Sequence, residues 1–311
     1  MNKQTLKVGT RGSALALWQT QHVVERLRAV APGLDPRVET IKTHGDLVRD
    51  QALSKVGGKG LFVTEIEAAL LSGKIDLAVH SLKDMPTELP HGLTLAAILE
   101  RADPRDALVI DGRGGSLVTL PAGARVGTSS LRRRAQLLAA RPDLRVLDLR
   151  GNVDTRLRKL SAGDYEAIVL AAAGLLRLGR ATVVAEYLPL DVMLPAVGQG
   201  ALCVETRVDD EATQELVATL DHLPTRQAIQ AERAFLQRLE GGCQVPIAAH
   251  AGIGNGRLRL QGLVASLDGA RLVRDEIQGP VAEAGRLGTA LAERLWAAGA
   301  GKILEGIARG G

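Results

Sequence analysis

Apolar residues along this chain alternate between two patterns: short continuous runs, and longer stretches in which they recur at helical spacing. Residues 6–10 (LKVGT) form such a run and lead into SALALWQTQHVVERLRAV, whose apolar positions mark one helix face. PGLDPRVETI then reads as turn and strand, and SGKIDLAVHS as a further strand. The same order returns from residue 124: ARVGT, the helix-like SLRRRAQLLAA, the turn and strand RPDLRVLDL, and the strand SAGDYEAIVLA. Apolar strands separated by amphipathic helices predict parallel sheets covered on both faces, and hence two α/β lobes. Ligands of such sheets bind at the strands' carboxyl ends, beside helix N-termini whose free N–H groups favour anions, so two facing lobes would enclose an anion-binding cleft.

The last third of the chain has a different rhythm. A helix-like AERAFLQRL (231–239) precedes EGGCQVPIA (240–248), and then AAHAGI, GRLRLQGLVASL and ARLVRDEIQG alternate with Gly-Asn-Gly and Asp-Gly turns that predict antiparallel hairpins. A closing amphipathic helix, AEAGRLGTALAERLWAAG, would cover one face of that sheet. The segment reads as a small C-terminal α+β domain.

Composition narrows the picture. With aromatics at 2% the cores must be Leu, Val, Ala and Ile, and the net charge of +4 is carried by arginines gathered in short clusters, which points to an anionic ligand. Nucleic acid is disfavoured, because Trp18, Phe62, Tyr165 and Tyr187 do not interleave with the arginines and no helix-turn-helix, zinc-finger or RNP pattern occurs. The longest apolar stretch, AIVLAAAGLL (167–176), is too short to span a bilayer, so no membrane association is expected. Two cysteines, with no hydrophobic leader after MNKQTLKVGT, predict a reducing, cytoplasmic setting. Neither cysteine has zinc-type spacing and none of the six histidines forms an H-E-x-x-H pair, so no metal is expected.

Cys203, in the run ALCVE, reads as strand core with no chemistry. Cys243 differs. A free cysteine is commonly a small buried hydrophobe, but here two glycines clear its approach and Pro246 stops a helix from resuming, so the thiol is presented as a covalent attachment point.

Basic clusters recur at predicted strand ends: Arg11 and Ser13 in GTRGS; Lys55 and Lys59 in KVGGKG; Thr128, Ser130, Arg132, Arg133 and Arg134 in VGTSSLRRR; Arg150, Arg156 and Arg158 in LRGNVDTRLRK. KVGGKG fails the G-x-x-x-x-G-K-[ST] spacing and fits a lysine-bearing flap. Taking Leu131, Ala135 and Leu138 as the buried stripe leaves Arg132 and Arg133 better placed than Arg134 to meet a ligand. A solvated charged face is the plainer reading of any one cluster, and recurrence at four strand ends argues against it. Arginine forks suit carboxylates, so several imply a polycarboxylate. Asp84, in VHSLKDMP beside Lys83, is either a turn carboxylate before proline or the acid-base group of a cationic site.

These segments together resemble the porphobilinogen deaminases, also called hydroxymethylbilane synthases. The resemblance runs almost end to end and rests on TRGSALALWQ, KVGGKGLF, AVHSLKDMP, ERADPRDA, VGTSSLRRRAQL, LRGNVDTRL, LPAVGQGAL and ERAFLQRLEGGCQVPI. It implies two lobes like type II periplasmic binding proteins, at 1–99 with 200–219 and at 100–199, and a C-terminal domain at 220–311. It also implies a dipyrromethane cofactor held covalently by Cys243, on which four porphobilinogen molecules are condensed with loss of ammonia. Carried over by motif, Ser81, Lys83, Thr128, Ser129, Ser130, Arg132, Arg133, Arg150 and Gly151 hold the cofactor, and Arg11, Ser13, Arg156 and Gln199 meet substrate. Asp84 is implied as the catalytic carboxylate, Lys55 and Lys59 as part of a flexible loop, and the enzyme as a monomer; Arg134, Arg158 and His44 stay outside the set. The rival readings are a non-catalytic carboxylate receptor, which would need neither Cys243 nor the C-terminal domain, and a nucleic-acid binder, whose affinity would fall steeply with salt.

Overall fold

The computed structural model describes residues 4–47, 63–112, 114–239 and 245–310. The chain begins with β1 (Gln4–Thr10), α1 (Ala14–Val30), β2 (Leu34–Thr40), α2 (His44–Leu47), α3 (Thr64–Leu71), β3 (Leu77–Ser81) and β4 (Leu93–Ile98). There follow β5 (Asp106–Ile110), β6 (Arg125–Gly127), α4 (Leu131–Ala140), β7 (Arg145–Leu147), α5 (Val153–Ser161), β8 (Ala167–Ala171), α6 (Ala172–Arg177) and β9 (Val184–Tyr187). Then come β10 (Leu202–Arg207), α7 (Glu211–Ala218), α8 (Leu223–Arg238), β11 (Ile247–Gly254), β12 (Arg257–Ala265), β13 (Leu272–Pro280), α9 (Ala284–Leu295) and α10 (Gly301–Gly310). Two compact units result: Met1–Ala102 with Ala201–Arg226, and Asp103–Gly200 with Gln227–Gly311.

The first unit is lobe 1, a five-stranded sheet in the order β2-β1-β3-β10-β4. α1 covers one face, where Val23, Val24 and Leu27 pack with Leu6, Val8, Leu77, Val79 and Val204. α3 covers the other through Ile66, Ala69 and Leu70, which meet Ile75 and Ala78. Each fully buried aliphatic side chain is worth about 2 kcal/mol of transfer free energy, so the two apolar stripes hold the helices to the sheet.

The second unit carries two sheets. One, lobe 2, has the order β7-β6-β8-β5-β9, the same pattern as lobe 1, with the three parallel strands at one side. The other is the antiparallel β11-β12-β13 sheet, with α9 on one face and a core of Phe235, Leu258, Leu260, Leu291 and Leu295. Gly262 and Gly288 make this packing possible: a Cβ at Gly262 would lie 2.6 Å from Phe235, and one at Gly288 2.2 Å from the Ala231 carbonyl oxygen.

The expected strands and helices form, with two corrections. The lobes are not purely parallel, since β10 runs antiparallel to β3 and β4, and β5 antiparallel to β8 and β9. The chain leaves lobe 1 at the end of β4 and re-enters it as β10 at that same end, Cys203 pairing with Ile98, so the inserted strand takes the opposite direction. The expected final helix ends near Gly299, at φ 110°, but a further helix that was not expected, α10, follows it. Among the described residues no helix is long and apolar enough to cross a membrane.

Candidate active site

The end of β3 shapes a pocket in lobe 1. Past Ser81 the chain tightens into a single turn, Leu82–Asp84, closed by the Met85 N–H donating to the Leu82 carbonyl at 3.1 Å. Leu82 and Met85 are buried beneath it, which leaves Lys83 and Asp84 on the outer side. The opposite wall comes from the start of α1, where the Ser13 hydroxyl accepts from the Ala16 N–H at 3.2 Å and caps the helix. Arg11, Ser13, Gln19, His80, Ser81 and Asp84 line one pocket. Gln19 ties its two walls together, donating to the Ser81 hydroxyl at 2.9 Å. A carboxylate there stands beside a guanidinium and two hydroxyls, an arrangement suited to holding an anionic substrate and to charge and proton work at one point.

Lobe 2 presents its polar groups in the same way. After β6 the Thr128 hydroxyl accepts from the Ser130 N–H at 3.2 Å, and the Ser130 hydroxyl accepts from the Arg133 N–H at 3.4 Å to cap α4. Ser129 both donates to the Leu149 carbonyl, at 3.0 Å, and accepts from the Leu149 N–H, at 3.1 Å, locking the β6 end to the β7 end. There Gly151 adopts φ 111°, where a Cβ would sit 2.6 Å from Thr155, and its carbonyl accepts from Arg156 Nε at 2.8 Å. Arg150 precedes this turn, half-buried, and Asn152 caps α5 by accepting from the Thr155 N–H at 2.9 Å.

The two central arginines depart from the expected geometry. Arg132 and Arg133 belong to the buried face of α4, with Ala135, Gln136 and Leu137, while Leu131 and Leu138 are only half-buried. The cause is Asp106 at the start of β5, which is wholly buried. It accepts from Arg132 Nη1 at 2.7 Å, from Arg133 Nε at 2.9 Å and Nη2 at 2.7 Å, and from Gln199 Nε2 at 3.0 Å. Burial alone would raise the Asp106 carboxyl, but the two guanidiniums hold it well below the usual carboxylate range. Burial pulls Arg132 down, Asp106 opposes this, and Arg133 adds to it, because two cations share one carboxylate. Arg133 also donates to the Val169 carbonyl, and Arg132 to that of Leu194. The printed bonds of Arg132 are both made by Nη1, and its Nε–Nη2 edge makes none among the described residues.

Thus Arg11, Ser13, Ser81, Lys83 and Asp84 belong to lobe 1, and Thr128, Ser129, Ser130, Arg132, Arg133, Arg150, Gly151, Arg156 and Gln199 to the second unit. Cys243, Lys55 and Lys59 lie outside the described residues. Sequence reasoning missed Gln19, His80, Asp106 and Arg177. Gln19 breaks the apolar stripe of α1, and Asp106 opens an apolar strand; in each case a polar residue at a core position was the available signal. Arg177, half-buried, donates to the Gly200 carbonyl at 2.7 Å, and burial lowers its guanidinium to about 10. Cys203 is buried as expected.

Fold and side chains define a two-lobed α/β protein whose strand ends carry clustered cations, hydroxyls and a carboxylate, a chemistry suited to anionic groups. The family model for the dipyrromethane cofactor-binding domain of porphobilinogen deaminase matches residues 6–215, and that for the C-terminal domain of the same enzyme matches residues 226–297. The porphobilinogen deaminase of Geobacter metallireducens is 55% identical over 307 residues, covering 99% of this chain and 96% of that protein. That of Moorella thermoacetica is 55% identical over 302 residues, covering 97% and 96%. Among solved structures, the periplasmic VFT2 domain of Bordetella pertussis BvgS aligns with a TM-score of 0.43 at 15% identity, over 70% of this chain and 86% of that one. This chain belongs to the porphobilinogen deaminase family.

Proposed function

We propose that Asp84 is the group at which this chain carries out its chemistry and that the strand-end cations of each lobe hold the acidic side chains of cofactor and substrate. The reaction is that of the family: four porphobilinogen molecules are condensed stepwise on a covalent dipyrromethane primer, with release of ammonia, giving linear hydroxymethylbilane for tetrapyrrole biosynthesis. The primer supplies the free pyrrole end on which the product grows. Cys243 is its attachment point. Hydroxyls and cations fit its carboxylates: Ser81 and Lys83 in lobe 1, and Thr128, Ser129, Ser130, Arg132, Arg150 and the Gly151 turn in lobe 2. Arg133, most of whose donors are already engaged, acts chiefly by holding Asp106 and α4 in place. Arg11, Ser13, Arg156 and Gln199 complete the substrate contacts or their support, and Lys55 and Lys59 belong to a loop that closes over bound substrate.

The observation that carries this reading is the placement of Asp84 on a tight turn at a parallel strand's carboxyl end, in one pocket with Arg11, Ser13 and Ser81. As ammonia departs, positive charge develops on the substrate pyrrole. A fixed carboxylate stabilises that charge, accepts the proton lost from the pyrrole carbon once the new carbon–carbon bond has formed, and delivers it to the amine of the next porphobilinogen, which departs in its turn as ammonia, so no net proton remains on the enzyme. The enzyme is further proposed to act as a monomer in the cytoplasm, without nucleic acid. The test is Asp84→Asn, with intact mass measured under denaturing conditions and single-turnover ammonia release. The variant should fold, carry the two-pyrrole adduct, and turn over more slowly by roughly three orders of magnitude or more, the combined scale of lost electrostatic and acid-base catalysis. Ammonia release at the wild-type rate would reduce Asp84 to a turn residue, and an active wild type without the adduct would remove Cys243 from the scheme.

A further inference from the structure

Behind the Asp84 pocket lies a second set of ionisable groups that the chemistry above does not use. His80 lines the pocket from β3, and its Nε2 stands 3.1 Å from Glu205 Oε2 on β10. Glu67, on α3, covers the same sheet face. Glu205 is fully buried, and His80 and Glu67 nearly so. One oxygen of each carboxylate, Glu205 Oε1 and Glu67 Oε1, is buried without a hydrogen-bond partner among the described residues.

Two ionised carboxylates are acceptors only, so neither could satisfy the other's unpartnered oxygen, and their charges would repel in a medium that solvates them poorly. A proton on one turns it into a donor for the other. Among the described residues the remaining surroundings of α3 offer no substitute: β4 brings no titratable side chain, Lys7 of β1 is exposed, and Arg207 of β10 donates to the Leu70 and Ile75 carbonyls and pairs with Asp210. Glu65, on the first turn of α3, accepts from the His44 N–H.

We propose that Glu67, Glu205 and His80 form a buried chain in which one proton is held between the two carboxylates, and that this chain positions the imidazole wall of the pocket in which Asp84 acts. The proposal rests on the reading that Asp84 works in that pocket. Burial first, and then the charge of Glu205, push the Glu67 carboxyl up to about 7, with His80 opposing them. Below that value Glu67 is a donor and the chain is complete. Above it the donor between the carboxylates is lost, and their mutual repulsion shifts Glu205 and with it the imidazole that it contacts.

The test uses the holoenzyme. Histidine ring signals are followed by NMR through the neutral range, with His80 assigned from a His80→Gln variant. In the wild type the His80 signals should inflect near pH 7. Single-turnover ammonia release should fall roughly threefold to tenfold across the same interval, the scale of one hydrogen bond lost from the chain. Glu67→Gln, whose amide donates at every pH, should abolish both the inflection and that fall, whereas Glu67→Leu should give the lower rate throughout. His80 signals unchanged through this range in the wild type would overturn the proposal, as would a Glu67→Gln rate profile that superimposes on that of the wild type. The ring signals are read without turnover, so a failure of the Asp84 assignment would leave the response of those signals to Glu67 standing.

Discussion

Replacing Asp106 by asparagine removes the carboxylate shared by the buried guanidiniums of Arg132 and Arg133 while changing the volume little. Asp106 accepts four hydrogen bonds, three at Oδ1 from Arg133 and Gln199 and one at Oδ2 from Arg132. An asparagine can keep the three by placing its oxygen on that side, but its amide then faces Arg132 Nη1, donor against donor. Two cations at 5% and 6% exposure are left without a counter-charge. Breaking a buried ion pair by deleting one partner costs about 3–5 kcal/mol, since the uncompensated charge remains desolvated. For a unit of about 150–250 residues this corresponds to a fall in Tm of roughly 6–20 °C, measurable by calorimetry or urea titration. The pH dependence has a definite sign. The folded carboxyl is held below its unfolded value, so its stabilisation is fully present above an unfolded pKa of about 3.9 and is lost as the solution becomes more acidic. Wild type and variant should converge in acid. Adding Arg133→Met to Asp106→Asn removes one of the two uncompensated cations and should recover part of the loss, as a double-mutant cycle would show. A loss under about 1 kcal/mol at neutral pH, the range of an exposed pair, would refute the reasoning.

Two further predictions test the anion site and the C-terminal packing. Arg150→Lys keeps the charge but not the fork, so activity should fall by roughly tenfold or more at unchanged Tm; a lost Tm would make Arg150 structural, and unchanged activity would remove it from the site. Gly288→Ala places a methyl 2.2 Å from the Ala231 carbonyl oxygen, forcing α9 away from α8. It should destabilise the protein by about 1–3 kcal/mol in urea titration, and a neutral result would mean that the two helices separate freely.

Much of the architecture was legible in one dimension because it is local. The strands Gln4–Thr10 and Ala167–Ala171 and the helix Ala14–Val30 follow from apolar spacing, and the β11–β13 hairpins from their glycine turns. The Asp84 turn was equally readable, since a polar pair after an apolar strand and before proline can only sit at the strand's end. Missed features depend on groups brought together from far apart in the chain. Which face of α4 is buried was misjudged because helical spacing counts apolar residues, whereas the deciding partner is the Asp106 carboxylate, 26 positions from Arg132. A buried anion can turn arginines inward where the hydrophobic pattern alone would leave them in solvent.

The sequence by itself determined where strands and helices begin, that polar and cationic residues gather at strand ends, and which carboxylate stands among them. Each of these is set by neighbours within a few residues. Tertiary structure decided the antiparallel insertion of β10 and β5, the inward turn of Arg132 and Arg133, and the meeting of His80 with Glu205, 125 positions apart. Hydrophobic burial is non-directional and leaves a periodic signature along the chain, whereas a buried charge is stable only beside one particular partner. That partner's location is a property of the folded chain alone.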